Sequence, residues 1–360
     1  MSNVIPFPSI AKPSRKQNLR ALLVAVARYR HAPDSVFWLK ENAEVLGMLV
    51  GTHARMSRDD LAPYAAFYDK IEDKLQFYPQ YYRFFLSICL DLEDLGFGGS
   101  KGESLCRQVA AAGLIGVELS DLQRAEACHL LARRGMQDRL FSNTIKDRLR
   151  YFAERAETFV LPNKKAAYEL AHIVFYLSDY GKRDPQLSEA MVTSLKYAGV
   201  LAYLDQNHDL LAEICTALHF AGMRPSQVWV KAVAMAHSLI YPENGVAKYP
   251  MEDAFHCFLV TGWAQTLSGG MSFAAQVPED HIHFSARFQS SSVLRPMSEC
   301  LMGLGPSRSS DWDAMRGCVL AALDPARRNI LRQAEASTER FNAFFRGFAR
   351  VPADRSTAAG

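Results

Sequence analysis

Gly51, Gly96, Gly135, Gly181, Gly222 and Gly269 each follow an apolar-periodic run. They recur about every 43 residues, an interval that holds two helices. Glycine ends a helix readily because it takes the left-handed backbone without the Cβ penalty other residues meet. Strong helix formers dominate from residue 17 to 348, and alternating β-branched runs are nearly absent. The expected fold class is all-α, built of repeated antiparallel helical hairpins. Such hairpins either stack as an open helical solenoid or close into a two-layered α/α ring (toroid).

Hydrophobic patterning favours the ring. Inner helices of a ring are packed on all sides and turn their few polar groups to a central cavity. The runs ending at Gly96, Gly181, Gly222 and Gly269 contain YYRFFLSICL, YELAHIVFYL, LLAEICTALHF and AFHCFLVTGWA, apolar around the whole helix. NTIKDRLRYFAERAE, by contrast, is amphipathic and charged, as an outer helix should be. Asp34 with Ser35, Ser120, Asn163, Asn207 and Ser226 stand where N-caps belong. The pattern predicts unbroken helices over 59–77, 143–157, 252–268 and 326–348, and an extended stretch over 270–289. A disordered arm over 1–16, one helical domain over 17–350 and a disordered tail over 351–360 complete the organisation.

Composition narrows the function. A net charge of +3 on 360 residues is too small to argue for nucleic acid. No apolar run reaches the length of a membrane span, and the N-terminus lacks the apolar block of a signal peptide. Seven cysteines without a CxxC pair suit free thiols in a reducing cytoplasm. The expected partner is a small-molecule ligand, with no nucleic acid and no membrane.

The stretch AAYELAHIVFYLSDYG, residues 166–181, places Glu169, His172 and Asp179 on an otherwise apolar helix, with Tyr176 among them. Ionisable groups on a buried helix are costly unless paired or bound. Glu169 and His172 are i, i+3 neighbours in ELAH; Asp253 and His256 repeat the spacing in DAFH, and Glu213 sits early in the helix between. In a parallel inner layer these five would lie at a similar height. Acid-x-x-His on two helices is the spacing of di-iron and di-manganese carboxylate proteins. A lone acid from a further helix would come from Glu93, Glu154 or Glu157. Two functional readings stay open: a divalent or di-metal centre (iron, manganese or zinc) held by Glu169, His172, Glu213, Asp253 and His256, or metal-free catalysis by Glu169, His172, Asp253 and His256. Glu213 and Tyr176 would then contact the ligand or cofactor. Structural pairing within the helices is the bland alternative.

Other features are weaker. Tyr168, Tyr176, Tyr203, Phe255 and Trp263 would give a cavity aromatic walls. His281 and His283 would project together from the extended stretch, and His219 reads as a core histidine. The charged run RRGMQDR reads as a solvated face. FGGSKGES, before a helix, could take a phosphate at the helix end. No P-loop, strand-borne GxGxxG, GxSxG or zinc-finger spacing is present.

The hairpin count resembles that of α/α-ring enzymes such as terpene cyclases, protein prenyltransferases and lanthipeptide cyclases. Their DxDD, paired Cys-Gly and Cys-His, and repeated Gln-Trp motifs are missing here. The resemblance implies an architecture and no activity. The expectation is a soluble all-α enzyme with a central acidic/His cavity for a small, partly apolar molecule. A helical-repeat interaction scaffold and a non-catalytic small-molecule or metal carrier remain the alternatives.

Overall fold

A computed structural model describes residues 14–33, 35–136, 139–246, 253–270, 276–278, 280–288 and 291–351. Asp34, most of the expected arm and the tail from residue 352 lie outside the described residues. Among the described residues the fold is all-α apart from one two-stranded sheet. The helices are α1 (Arg15–Ala25), α2 (Val36–Gly51), α3 (Ala65–Asp69), α4 (Ile71–Phe77), α5 (Tyr82–Leu95), α6 (Lys101–Ala111), α7 (Asp121–Ala132), α8 (Arg139–Ala153) and α9 (Lys164–Leu177). They continue as α10 (Glu189–Leu204), α11 (His208–Phe220), α12 (Gln227–Ser238), α13 (Phe255–Leu267), α14 (Leu294–Gly303), α15 (Trp312–Ala321), α16 (Pro325–Ala336) and α17 (Phe341–Phe348). Strands β1 (Ile240–Asn244) and β2 (Ile282–Ala286) pair antiparallel, with Ile240 opposite Ala286.

Local chemistry sets these ends. Ser35, Ser120, Asn163 and Asn207 each accept a backbone N–H of the first turn of their helix; Ser226 occupies the N-cap without such a bond. Gly96, Gly135, Gly181, Gly222 and Gly269 all follow their helices with positive φ. Gly51 does not: it is the last residue of α2, buried against the Trp263 indole, and the positive φ falls on His53. The helix expected over 59–77 is divided into a short 3₁₀ turn, α3 and α4, and that over 326–348 into α16 and α17. The charged helix expected over 143–157 begins earlier, at Arg139. Strand β1 was not anticipated, because IYPEN is short and carries a proline.

Six helices pack in cyclic order. α2 lies on α5, α5 on α7, α7 on α9, α9 on α11, α11 on α13, and α13 returns to α2. Outside them, α6 covers α5 and α7, α8 covers α7 and α9, α10 covers α9 and α11, and α12 covers α11 and α13. The C-terminal helices add a third layer, with α16 against α10 and α12 and α17 against α10. One hydrophobic cluster runs through all of this, from Ala21 to Ala349. On the α10 backbone, Gly199 lets the buried Trp229 ring approach so closely that a Cβ would stand 2.4 Å from it.

Candidate functional site

A cavity of about 640 Å³ lies among the six cyclically packed helices, and every one of them contributes to its wall. On α9 the lining residues are Tyr168, His172, Phe175 and Tyr176, an i, i+4, i+7, i+8 stripe. Asp209 and Glu213 line it from α11, His256 and Trp263 from α13, Lys40 and Glu44 from α2.

The chemistry concentrates where α2, α9, α11 and α13 meet. The His256 imidazole donates from Nδ1 to Asp209 Oδ2 at 2.5 Å, and the Tyr168 hydroxyl donates to Asp209 Oδ1 at 2.7 Å. The other imidazole nitrogen, Nε2, faces Glu213 Oε1 at 3.8 Å and Glu44 Oε1 at 3.9 Å. His172 Nε2 stands 3.4 Å from Glu213 Oε2. Lys40 lies 3.8 Å from Glu44, one turn earlier on α2.

Burial and charge act in opposition here. Burial would lower the His256 imidazole, but the Asp209 hydrogen bond and the surrounding carboxylates hold it up at about 9. Burial pushes Glu213 up to about 8, against the pull of His256, with Asp209 and Glu44 adding to the rise. Burial likewise raises Glu44 and drives His172 down to about 4. For Asp209 burial is outweighed by its bonds from His256 and Tyr168, and the carboxyl stays below the usual range. The cluster thus favours charge on Asp209 and His256 and disfavours it on Glu213 and His172.

The facing wall is charged but internally paired. Arg83 bonds Glu118 at 2.8 Å and also pairs with Glu126; Arg133 bonds Asp91 at 2.8 Å and Asp94 at 2.7 Å. Phe84, Phe175, Tyr176, Tyr180 and Trp263 give the space between an aromatic surface. A small molecule with an apolar body and one polar, reactive end fits this division.

Of the residues singled out in the sequence, His172, Tyr176, Glu213 and His256 line the one cavity, and Glu169 and Asp253 do not. Glu169 is rotated off the stripe, and among the described residues it enters no ion pair, so the partner of His172 is Glu213 across the helix interface. Asp253 precedes α13, which begins at Phe255, so the i, i+3 argument does not hold for it. Its carboxylate accepts the Phe255 and Phe284 backbone N–H groups and pairs with Arg30 at 2.9 Å. Asp179 takes a positive φ after α9 and faces His129 at 3.3 Å, beside a smaller cavity of about 110 Å³. His281 lies against the Tyr29 ring and His283 near Glu243 at 3.6 Å, both off the large cavity, and His219 is exposed.

Tyr203 bonds Gln333, and Phe255 lies under Arg30, so neither gives the cavity a wall. Arg133, in the run read as solvated, is largely buried. The helix end at FGGSKGES is taken by Glu93, which accepts the Gly102 N–H at 2.8 Å, the Tyr68 hydroxyl at 2.7 Å and Arg134 at 2.8 Å. Sequence reasoning missed Asp209 and Glu44. Asp209 was findable, since it stands i, i+4 before Glu213 and shares its face.

The chain belongs to a family described as Domain of unknown function (DUF6902), whose model matches residues 1–351. No curated protein and no solved structure matches the chain.

Proposed function

We propose that the chain is an enzyme built as a closed α/α ring, acting in the central cavity on a small, partly apolar molecule. The return of α13 to α2 supports closure, since an open solenoid would leave its end helices far apart. The observation that carries the catalytic reading is the Asp209–His256 pair, opening through Nε2 onto the cavity beside Glu213. Asp209 fixes the imidazole orientation, and Tyr168 fixes Asp209. His256 then moves a proton at the polar end of the bound molecule, and Glu213 is the second acid–base group within reach. Glu213 Oε2 makes no hydrogen bond among the described residues, its facing group being His172 Nε2 at 3.4 Å, which leaves it open to a bound molecule.

All seven cysteines are free, which suits a reducing cytoplasm, and no helix among the described residues is long and apolar enough to cross a membrane. The test is untargeted. Purified protein is incubated with a small-molecule cell extract, and mass spectrometry compares wild type with Asp209→Asn and His256→Gln. The expected result is one compound, or a few related ones, consumed by wild type and spared by both variants. Identical extracts after all three incubations would refute the enzymatic reading.

A further inference from the structure

Glu213 is 3% exposed, and its Oε2 is a buried carboxyl oxygen without a hydrogen bond, its facing group being His172 Nε2 at 3.4 Å. Leaving such an atom unsatisfied is costly, and in a cavity an ion from outside the chain can satisfy it. The groups around it are spaced for a shared occupant. One donor atom each from Asp209, Glu213 and His256 lies within 4.8 Å of the others. The 3.8 Å between His256 Nε2 and Glu213 Oε1 is too long for a hydrogen bond. It is, however, the separation of two donors sharing an ion at bond lengths of about 2.0–2.2 Å. His256 already gives Nδ1–H to Asp209, the arrangement that orients a metal-binding imidazole, and an ion would take the place of the proton on Nε2.

We propose that Glu213 and His256 bind one divalent first-row transition ion in the cavity, with Glu44 and His172 at its edge and Asp209 holding the His256 ring from the Nδ1 side. Carboxylate with imidazole suits zinc, iron or manganese better than calcium or magnesium, which prefer all-oxygen shells. Glu44 and His172, from α2 and α9, are placed to ligate the ion directly or to hold water on it. The ion would act there as a Lewis acid on the polar end of the bound molecule. This inference rests on reading the cavity as the reaction site, and its test is independent of turnover.

Untagged protein is stripped with chelator, dialysed and titrated calorimetrically with Zn²⁺ and, separately, Mn²⁺, with melting followed in parallel. The expected result is one equivalent bound by wild type and a raised Tm. Glu213→Gln should bind at least tenfold more weakly and lose the metal-induced rise. Without metal, the same variant should melt above wild type, because a buried acid without a hydrogen bond on Oε2 gives way to a neutral amide. His256→Gln should also lose binding. Wild type that takes up neither ion, binding unchanged in both variants, or a metal-free Glu213→Gln protein melting below wild type would each overturn the proposal. A protein that binds metal but consumes nothing in the extract refutes the enzymatic reading alone; one that consumes a compound after stripping, with no ion bound, refutes the metal alone.

Discussion

Arg30 and Asp253, 223 positions apart in the chain, meet at 2.9 Å. The same guanidinium bonds both Glu41 oxygens at 2.7 Å and the Ile282 carbonyl at 3.1 Å, with the Phe255 ring centre 4.1 Å away. It thus ties the segment Val26–Arg30, just after α1, to α2, to β2 and to the entry of α13. Its side chain is 3% exposed. Arg30→Ala would leave two acids buried without their cation and should lower stability by about 3–5 kcal/mol in urea unfolding. Arg30→Lys should lose most of the same amount, since an ammonium lacks the planar fork these partners occupy. A lysine variant as stable as wild type would show that charge alone suffices.

The His129 imidazole predicts acid sensitivity. Burial, reinforced by Arg133, Lys182, Arg183 and Lys146, drives it down to about 3. The unfolded chain protonates the same group near 6.5, so below that pH the unfolded state holds a proton the folded state refuses. Stability should therefore fall as pH drops from about 6.5 towards 3, by up to about 1.4 kcal/mol per pH unit from this one group. Urea unfolding at pH 7, 6 and 5 should show a shallower pH dependence in His129→Gln. An identical slope in both proteins would exclude His129 as a source.

Gly199 sits in the middle of α10, where alanine is the better helix former by about 1 kcal/mol. Against that stands the Trp229 ring, 2.4 Å from where the new Cβ would lie. Overpacking of this kind costs about 1–3 kcal/mol, so Gly199→Ala should lower Tm despite its helix propensity. Calorimetry decides the sign, and a raised Tm would mean the indole moves freely.

For the reaction, Asp209→Asn should cut kcat/KM by about 10²–10⁴-fold on the compound found in the extract screen. Tyr168→Phe, which removes only the outer hydrogen bond, should cost much less. Steady-state kinetics reads both. Equal losses in the two variants would move the decisive role from the carboxylate to the hydroxyl.

Helix positions and caps were legible because they follow from local rules: Asn163 and Asn207 cap their helices, and five of the six spaced glycines turn left-handed after theirs. His172, Glu213 and His256 stood out as polar groups in apolar runs. Asp253 misled because the expected helix began three residues before α13 does, and its true partner, Arg30, is remote in sequence. The apolar run of α10 shows a second limit. It lies outside the six cyclically packed helices and is apolar because α16 and α17 cover its back, a third layer that no local pattern announces. Glu44 was invisible for a similar reason, since its neighbour His256 arrives only when α13 returns to α2.

That return has a kinetic side. Glu44 lies on α2 and His256 on α13, so the first waits through most of translation for its neighbour. Joining segments so distant pays its loop-closure entropy late, after the intervening hairpins have formed. A nascent or truncated chain lacking α13 holds most of the helices and only part of the reactive cluster. The site is thus complete only once α13 has docked against α2 and α11.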